Sequence, residues 1–280
     1  MSGLPLLPGP KLQPFRFRTK VPNIEFVEEL GEGKDSTVWK VSIDDSIYAL
    51  KIFGFGHVLN YPLSDFYEGK DEYTPEDIRT YEDPFHCECR AYGRLKETGK
   101  EHLSIACYGY VMLSSDHEKE LLDKGGMTST IDRWHEEFEN LPLRAIVKEF
   151  IEEPDEYWHL DPKKIPRMIR DVDTLHQIGI FVNDISAENW LNDVIMDFSR
   201  ARTVPHPYYN RDYIEWLTKG GRGWDSTARR DEKDFDSMID TWNYFVEVGT
   251  YKGEHVWHRM QNNESRYKLR SGRRFNEAPR

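Results

Sequence analysis

The chain has 280 residues, of which 38% are hydrophobic and 31% charged, with a formal net charge of −12. That length fits one two-lobed domain or two small ones, and 13% aromatic residues can furnish a core, which excludes bulk disorder. No apolar run approaches the roughly 18 residues of a membrane helix, and the acidity argues against coating of nucleic acid.

The first residues carry leucines at 4, 6 and 7 but prolines at 5, 8, 10 and 14, which breaks any signal-peptide core. The protein is therefore read as intracellular, cytoplasmic or nuclear, with residues 1–20 a flexible Pro-rich leader. Strand patterns follow at 24–30, 37–43 and 47–53, with Asp44, Asp45 and Ser46 as a turn between the last two. Residues 54–84 read as a loop or insertion. A helix is predicted over 85–98, stopping before Gly99. Strands are predicted at 108–113 and 143–151, separated by an acidic insertion, 114–140, with a short helix.

From about 162 the pattern turns helical. Ile165, Met168, Ile169, Val172 and Leu175 give one apolar face, and Gly179 ends it. Short strands at 180–182 and 194–196 and a helix over 231–247 follow. Strands first and helices later predict an α+β fold with a sheet-rich lobe over 21–151 and a helical lobe over 152–260. Residues 261–280 form a basic tail (Arg266, Lys268, Arg270, Arg273, Arg274 and Arg280 against Glu277). Cys87, Cys89 and Cys107 are an odd number at no zinc spacing and read as buried thiols.

Several residue groups carry chemistry. Gly31-Glu32-Gly33 lies between two strands, where bare backbone can approach a phosphate, and Val38 beyond it can cover a base. Lys51, inside the apolar strand Tyr48-Ala49-Leu50-Lys51, needs a partner for its charge. Glu88 shares a helix face with Tyr92 and Leu95 and is the candidate, with Glu82 and Glu97 as competitors. In Asp184-Ile-Ser-Ala-Glu-Asn189 an acid can accept a hydroxyl proton while a neutral oxygen binds Mg²⁺. Asp197, after the next strand, can chelate the same ion between phosphates.

Taken in order, these groups resemble the protein-kinase signature set across about residues 24–245. The resemblance implies a bilobal protein-kinase-like fold with an antiparallel sheet lobe, a shortened helical lobe, and ATP and Mg²⁺ as cofactors. It casts Asp184, Lys51 and Glu88 as catalytic. Gly31, Gly33, Val38, Ala49, Lys51, Glu149 and Leu191 would hold the nucleotide, and Asn189 and Asp197 the metal. Asp234-Phe235-Asp236-Ser237 resembles the start of the helix that anchors the catalytic loop. The departures are Ser36 for the third glycine, Val182-Asn183 for His-Arg, Ser186 for a lysine, Ser199 for a glycine, and no Ala-Pro-Glu before Asp234. Lys148 falls at the gatekeeper position, where its charge would shrink or repolarise the adenine pocket. The chain also ends too soon after 247 for all the distal helices of a full kinase.

The stretches 48–53, 88–95 and 145–150 resemble a fungal kinase-like family named for a centromere-associated kinetochore subunit. Two functions stand open. One is an enzyme, an ATP-dependent phosphotransferase acting on a protein or small-molecule hydroxyl, and all five required groups favour it. The other is a catalytically weak kinase-fold scaffold of a kinetochore complex, with protein partners at the insertions or the basic tail.

Overall fold

The computed structural model describes residues 4–19, 23–55, 74–125, 140–152, 161, 163–207, 228–251 and 256. The basic tail and most of both predicted insertions lie outside them. The described residues form an α+β structure. Strands β1 (Ile24–Glu32), β2 (Ser36–Ile43), β3 (Ser46–Phe53), β4 (Cys107–Met112) and β5 (Arg144–Glu149) make an antiparallel sheet in the order β1-β2-β3-β5-β4. Asp44 and Asp45 hold left-handed φ values of 50° and 63°. A two-residue hairpin turn needs that geometry, and aspartate tolerates it.

The period of two separates the sheet's faces. Phe26, Trp39, Val41, Leu50, Ile52 and Val147 build one apolar layer, capped by Leu121 of α3 (Ser115–Asp123). On the other face two rows run across the strands: Val38, Lys51, Ile146 and Tyr110, then Lys40, Ala49, Lys148 and Cys107. Lys51 and Lys148, both buried, thus fall, together with Lys40, on the face that meets the helical part of the chain.

Helix α2 (Pro84–Glu97) packs against this second face. Its start is well specified. Pro84 sits in the first turn, and the Asp83 carboxylate accepts from His86 N at 3.1 Å. Ahead of it, α1 (Pro75–Glu82) lies where the sequence predicted a loop or insertion. Thr74 and Asp77 form a reciprocal capping box around Pro75, a start signal present in the sequence.

Helix α4 (Ile165–Gln177) buries the predicted stripe and ends before Gly179, whose φ is 81°. Strand β6 (Ile180–Phe181) pairs with β9 (Arg202–Thr203), and β7 (Trp190–Leu191) with β8 (Val194–Ile195). Helix α5 (Ala228–Glu247) contributes Phe235, Met238, Ile239 and Trp242 to the same core as α2 and α4.

The leader departs from its expected flexibility over residues 4–19. Leu12 is 2% exposed in the main core. Phe15 N donates to Tyr110 O (2.8 Å) and Tyr110 N to Gln13 O (3.2 Å), in parallel pairing with the β4 edge. Arg90 of α2 donates to Pro8 O at 2.8 Å and to Thr203 O at 3.1 Å. The segment is a strap across α2 and the sheet. Nothing in the proline-rich composition announces it, because its receiving surface is made by residues far along the chain.

Candidate functional site

The sheet supplies two buried cations and α2 one buried anion. Lys51 Nζ donates to Glu88 Oε2 at 2.8 Å and lies 2.7 Å from Asp197 Oδ1. Lys148 Nζ donates to the other oxygen of Glu88 and to Met196 O, the latter at 2.8 Å. It also stands 5.3 Å over the Tyr92 ring, one turn along α2 from Glu88. Glu88 is fully buried and each lysine is 4% exposed. The competitors go elsewhere: Glu82 binds Arg202 at 2.9 Å, and Glu97 faces Arg94 at 3.5 Å.

The electrostatics follow from this closure. Burial alone would lower the Lys51 pKa, but the charges of Asp197 and Glu88 outweigh it and hold the amine above its ordinary range. Burial alone would raise Asp197; Lys51 and then Lys148 hold it well below the carboxylate range instead. Asp83, buried beside Arg144 at 2.8 Å and close to His86, is lowered in the same way. Both carboxyls bind protons less readily folded than unfolded. The stabilisation they give is therefore present above the ordinary value of 3.8 and is lost as pH falls below it. In urea denaturation, stability is expected to drop below about pH 4, and Asp197→Asn to flatten that acid limb. An equally steep limb in the variant would remove Asp197 from the account.

The loop bearing the other candidates hangs from one buried aspartate. Asp231 of α5 accepts from Val182 N (2.8 Å) and Asn183 N (2.7 Å), and its carboxylate also meets His176 Nε2 at 2.8 Å. The sequence placed this anchor at Asp234, three residues on. Asp234 is instead half-exposed, its pKa raised by burial and then by Asp231 and Asp184, against the lowering charge of Arg230. Asn183, at a left-handed φ of 59°, donates through Nδ2 to Phe181 O (3.1 Å).

Beyond this anchor Asp184 is exposed, and Asn189 Nδ2 donates to Asp184 O at 2.9 Å. Met196 N donates to Asn189 O at 2.9 Å, so the β7–β8 hairpin brings Asn189 beside Asp197. Phe198 is buried edge-on against Tyr92, centroids 5.3 Å apart. Ser199 N donates to Asp197 Oδ1 at 2.7 Å.

The remaining candidates border the same face less tightly. Val38, Ala49 and Leu191 are half-buried, and Ala49 pairs with Lys148 across β3 and β5. Glu149 is exposed and pairs with Tyr48. Alternation therefore aims its side chain away from the lysine rows. Gly31 and Gly33 are exposed, and a Cβ at Gly31 would meet nothing within 4 Å. The bare backbone there has open space beside it.

By their chemistry, Lys51, Asn189 and Asp197 are the residues that would hold a metal-bound triphosphate. Among the described residues no cluster of three or more His, Cys, Asp or Glu is placed to hold a metal by itself. Phosphate oxygens would have to complete a magnesium shell on Asn189 and Asp197. Lys148 lies opposite Ala49 across β3 and β5, with its ammonium turned to Glu88 and Met196 O. Its direct bond to Glu88 was not foreseen; a basic residue opposite Ala49 in the strand register was the available signal. The three cysteines are buried and free, as expected, and burial pushes the Cys107 thiol up to about 12.

The family model for the kinetochore Sim4 complex subunit FTA2 matches residues 1–202, from the strap to the start of β9. No curated protein matches the chain.

Proposed function

From a chain that belongs to the family of the kinetochore Sim4 complex subunit FTA2, we propose an interaction subunit of a kinetochore assembly, built on a two-lobed, protein-kinase-like frame whose cleft is closed by its own charges. Kinetochores assemble on chromosomes, which puts its place of work in the nucleus. No described helix is long and apolar enough to cross a membrane.

The observation that carries this reading is the second lysine. In a phosphotransferase the strand lysine turns to the nucleotide phosphates and the late aspartate to the metal. Here Lys51 and Lys148 balance Glu88 and Asp197 without any ligand. The substrate-side departures point the same way, Val182-Asn183, Ser186 and Ser199 among them.

The purified chain is expected to hydrolyse or transfer no phosphate from Mg²⁺-ATP beyond the level of its Asp184→Ala variant. In cells, Asp184→Ala and Asp197→Asn chains should reach kinetochores as the parent does. Turnover by the parent that both variants lose would overturn the reading.

One observation favours the enzymatic alternative. Asp184 is exposed, and Asn189, which it tethers, stands beside Asp197, as in-line transfer to a hydroxyl requires. The same turnover measurement decides between the two.

A further inference from the structure

The loop between β1 and β2 would cover the phosphates of any nucleotide in this cleft. Its tip carries an acid, Asp35, whose Oδ2 lies 2.7 Å from Arg200 Nη2, across 165 positions of sequence. Arg200 stands three residues after Asp197, on the helical side. Both ends of the bridge are fixed by backbone. Gly54 N donates to Asp35 O at 3.1 Å, and Asn183, whose neighbour is Asp184, donates through Nδ2 to Arg200 O at 3.3 Å. The Asp35 side chain is 8% exposed and that of Arg200 29%, so the pair is sheltered from water more than a surface ion pair is.

We infer that Asp35 and Arg200 latch the glycine loop over the anion end of the cleft, and that Asp35 decides whether a polyphosphate can enter. The inference rests on the reading of the cleft as self-neutralised and gives it a residue-level cause. Within the bridge, Nη2 of Arg200 donates to Asp35. A phosphate entering beneath the loop meets the Asp35 carboxylate and must take Arg200 from it. With Asp35 neutral, the same Arg200 becomes a phosphate ligand of the forked, bidentate kind. The ligand class is a nucleoside triphosphate or another linear polyphosphate.

Isothermal titration with ATP and with inorganic tripolyphosphate, each with and without Mg²⁺, tests this on the full chain. Asp35→Asn is expected to bind both probes roughly tenfold or more tighter than the parent, within the usual span of coupling effects. Adding Arg200→Gln to Asp35→Asn is expected to abolish the gain. Equal affinities of parent and Asp35→Asn overturn the latch, as does a gain that survives Arg200→Gln. Asp35→Ser is the second opening variant; if near-ultraviolet circular dichroism finds both unfolded, the bridge is a structural brace and the inference falls. ATP turnover by the parent would strike the subunit reading alone, because the comparison of parent with Asp35→Asn remains readable.

Discussion

Glu88→Leu is expected to cost about 3–5 kcal/mol, the usual penalty for stranding buried charge, and so roughly 6–20 °C in thermal midpoint for a chain near this size. The reason is numerical. One fully buried carboxylate serves two lysines, each 4% exposed. Lys51 keeps Asp197 at 2.7 Å when Glu88 is lost. Lys148 keeps the Met196 carbonyl, the face of Tyr92 and the charge of Asp197, which Lys51 already binds directly, and a carbonyl dipole does not neutralise a buried ammonium. Most of the loss therefore belongs to Lys148, and Glu88→Leu/Lys148→Leu is expected to be more stable than Glu88→Leu alone. Apolar replacement of a buried ion pair is often neutral or better. Urea denaturation of the four corners of this cycle measures the coupling. A Glu88→Leu midpoint matching the parent's, or a double variant no better than the single, would refute the shared-carboxylate account.

The second large effect is expected from the strap. Deleting residues 1–19 uncovers the Leu12 pocket, frees the β4 edge at Tyr110, and takes the Pro8 carbonyl from Arg90. Replacing one fully buried leucine costs about 2–5 kcal/mol, and losing its hydrogen-bonded neighbours adds to that. The truncated chain is expected to lose amide protection first in α2, which carries Glu88 and rests against the strap. Gly93→Ala probes the same contact with a single methyl. In an ordinary helix the change would stabilise by roughly 0.5–1 kcal/mol. Here the new Cβ would fall 2.8 Å from both the N and the C of Lys11. That is backbone, with no rotamer to give way, so the sign reverses, at about 1–3 kcal/mol of overpacking. A stabilised Gly93→Ala protein, or a truncation with unchanged exchange in α2, would show that the strap is not holding the helix.

Much of the frame was legible because its signals are local. The alternation in β2 and β3, the stripe of α4 and the glycine after it each reflect one element's own geometry. The Lys51–Glu88 pair was legible for a different reason: a charge inside an apolar strand demands a partner, and Glu88, with Glu82 and Glu97 as competitors, shared a helix face with Tyr92 and Leu95. Legibility failed where the deciding contact is remote. Asp231 and Asp234 lie on neighbouring turns of one helix, and only the positions of the Val182 and Asn183 amides choose between them. Lys148 was visible as a charge at the position where the resemblance expects an adenine pocket, but its destination depends on which oxygen of Glu88 Lys51 leaves open. The strap is the extreme case, since its glycine seats stand some 80 and 95 positions downstream of the residues they admit.

That last arrangement has a consequence for descent. Gly93, in a helix, and Gly109, in a strand at a φ of 144°, crowd the backbone of one short segment. A lineage that shed the segment would release both positions at once, and side chains would return to them. A lineage that kept it would hold both bare. The two glycines and the strap are thus inherited as one character, and an alignment that scored the three sites independently would count a single constraint three times.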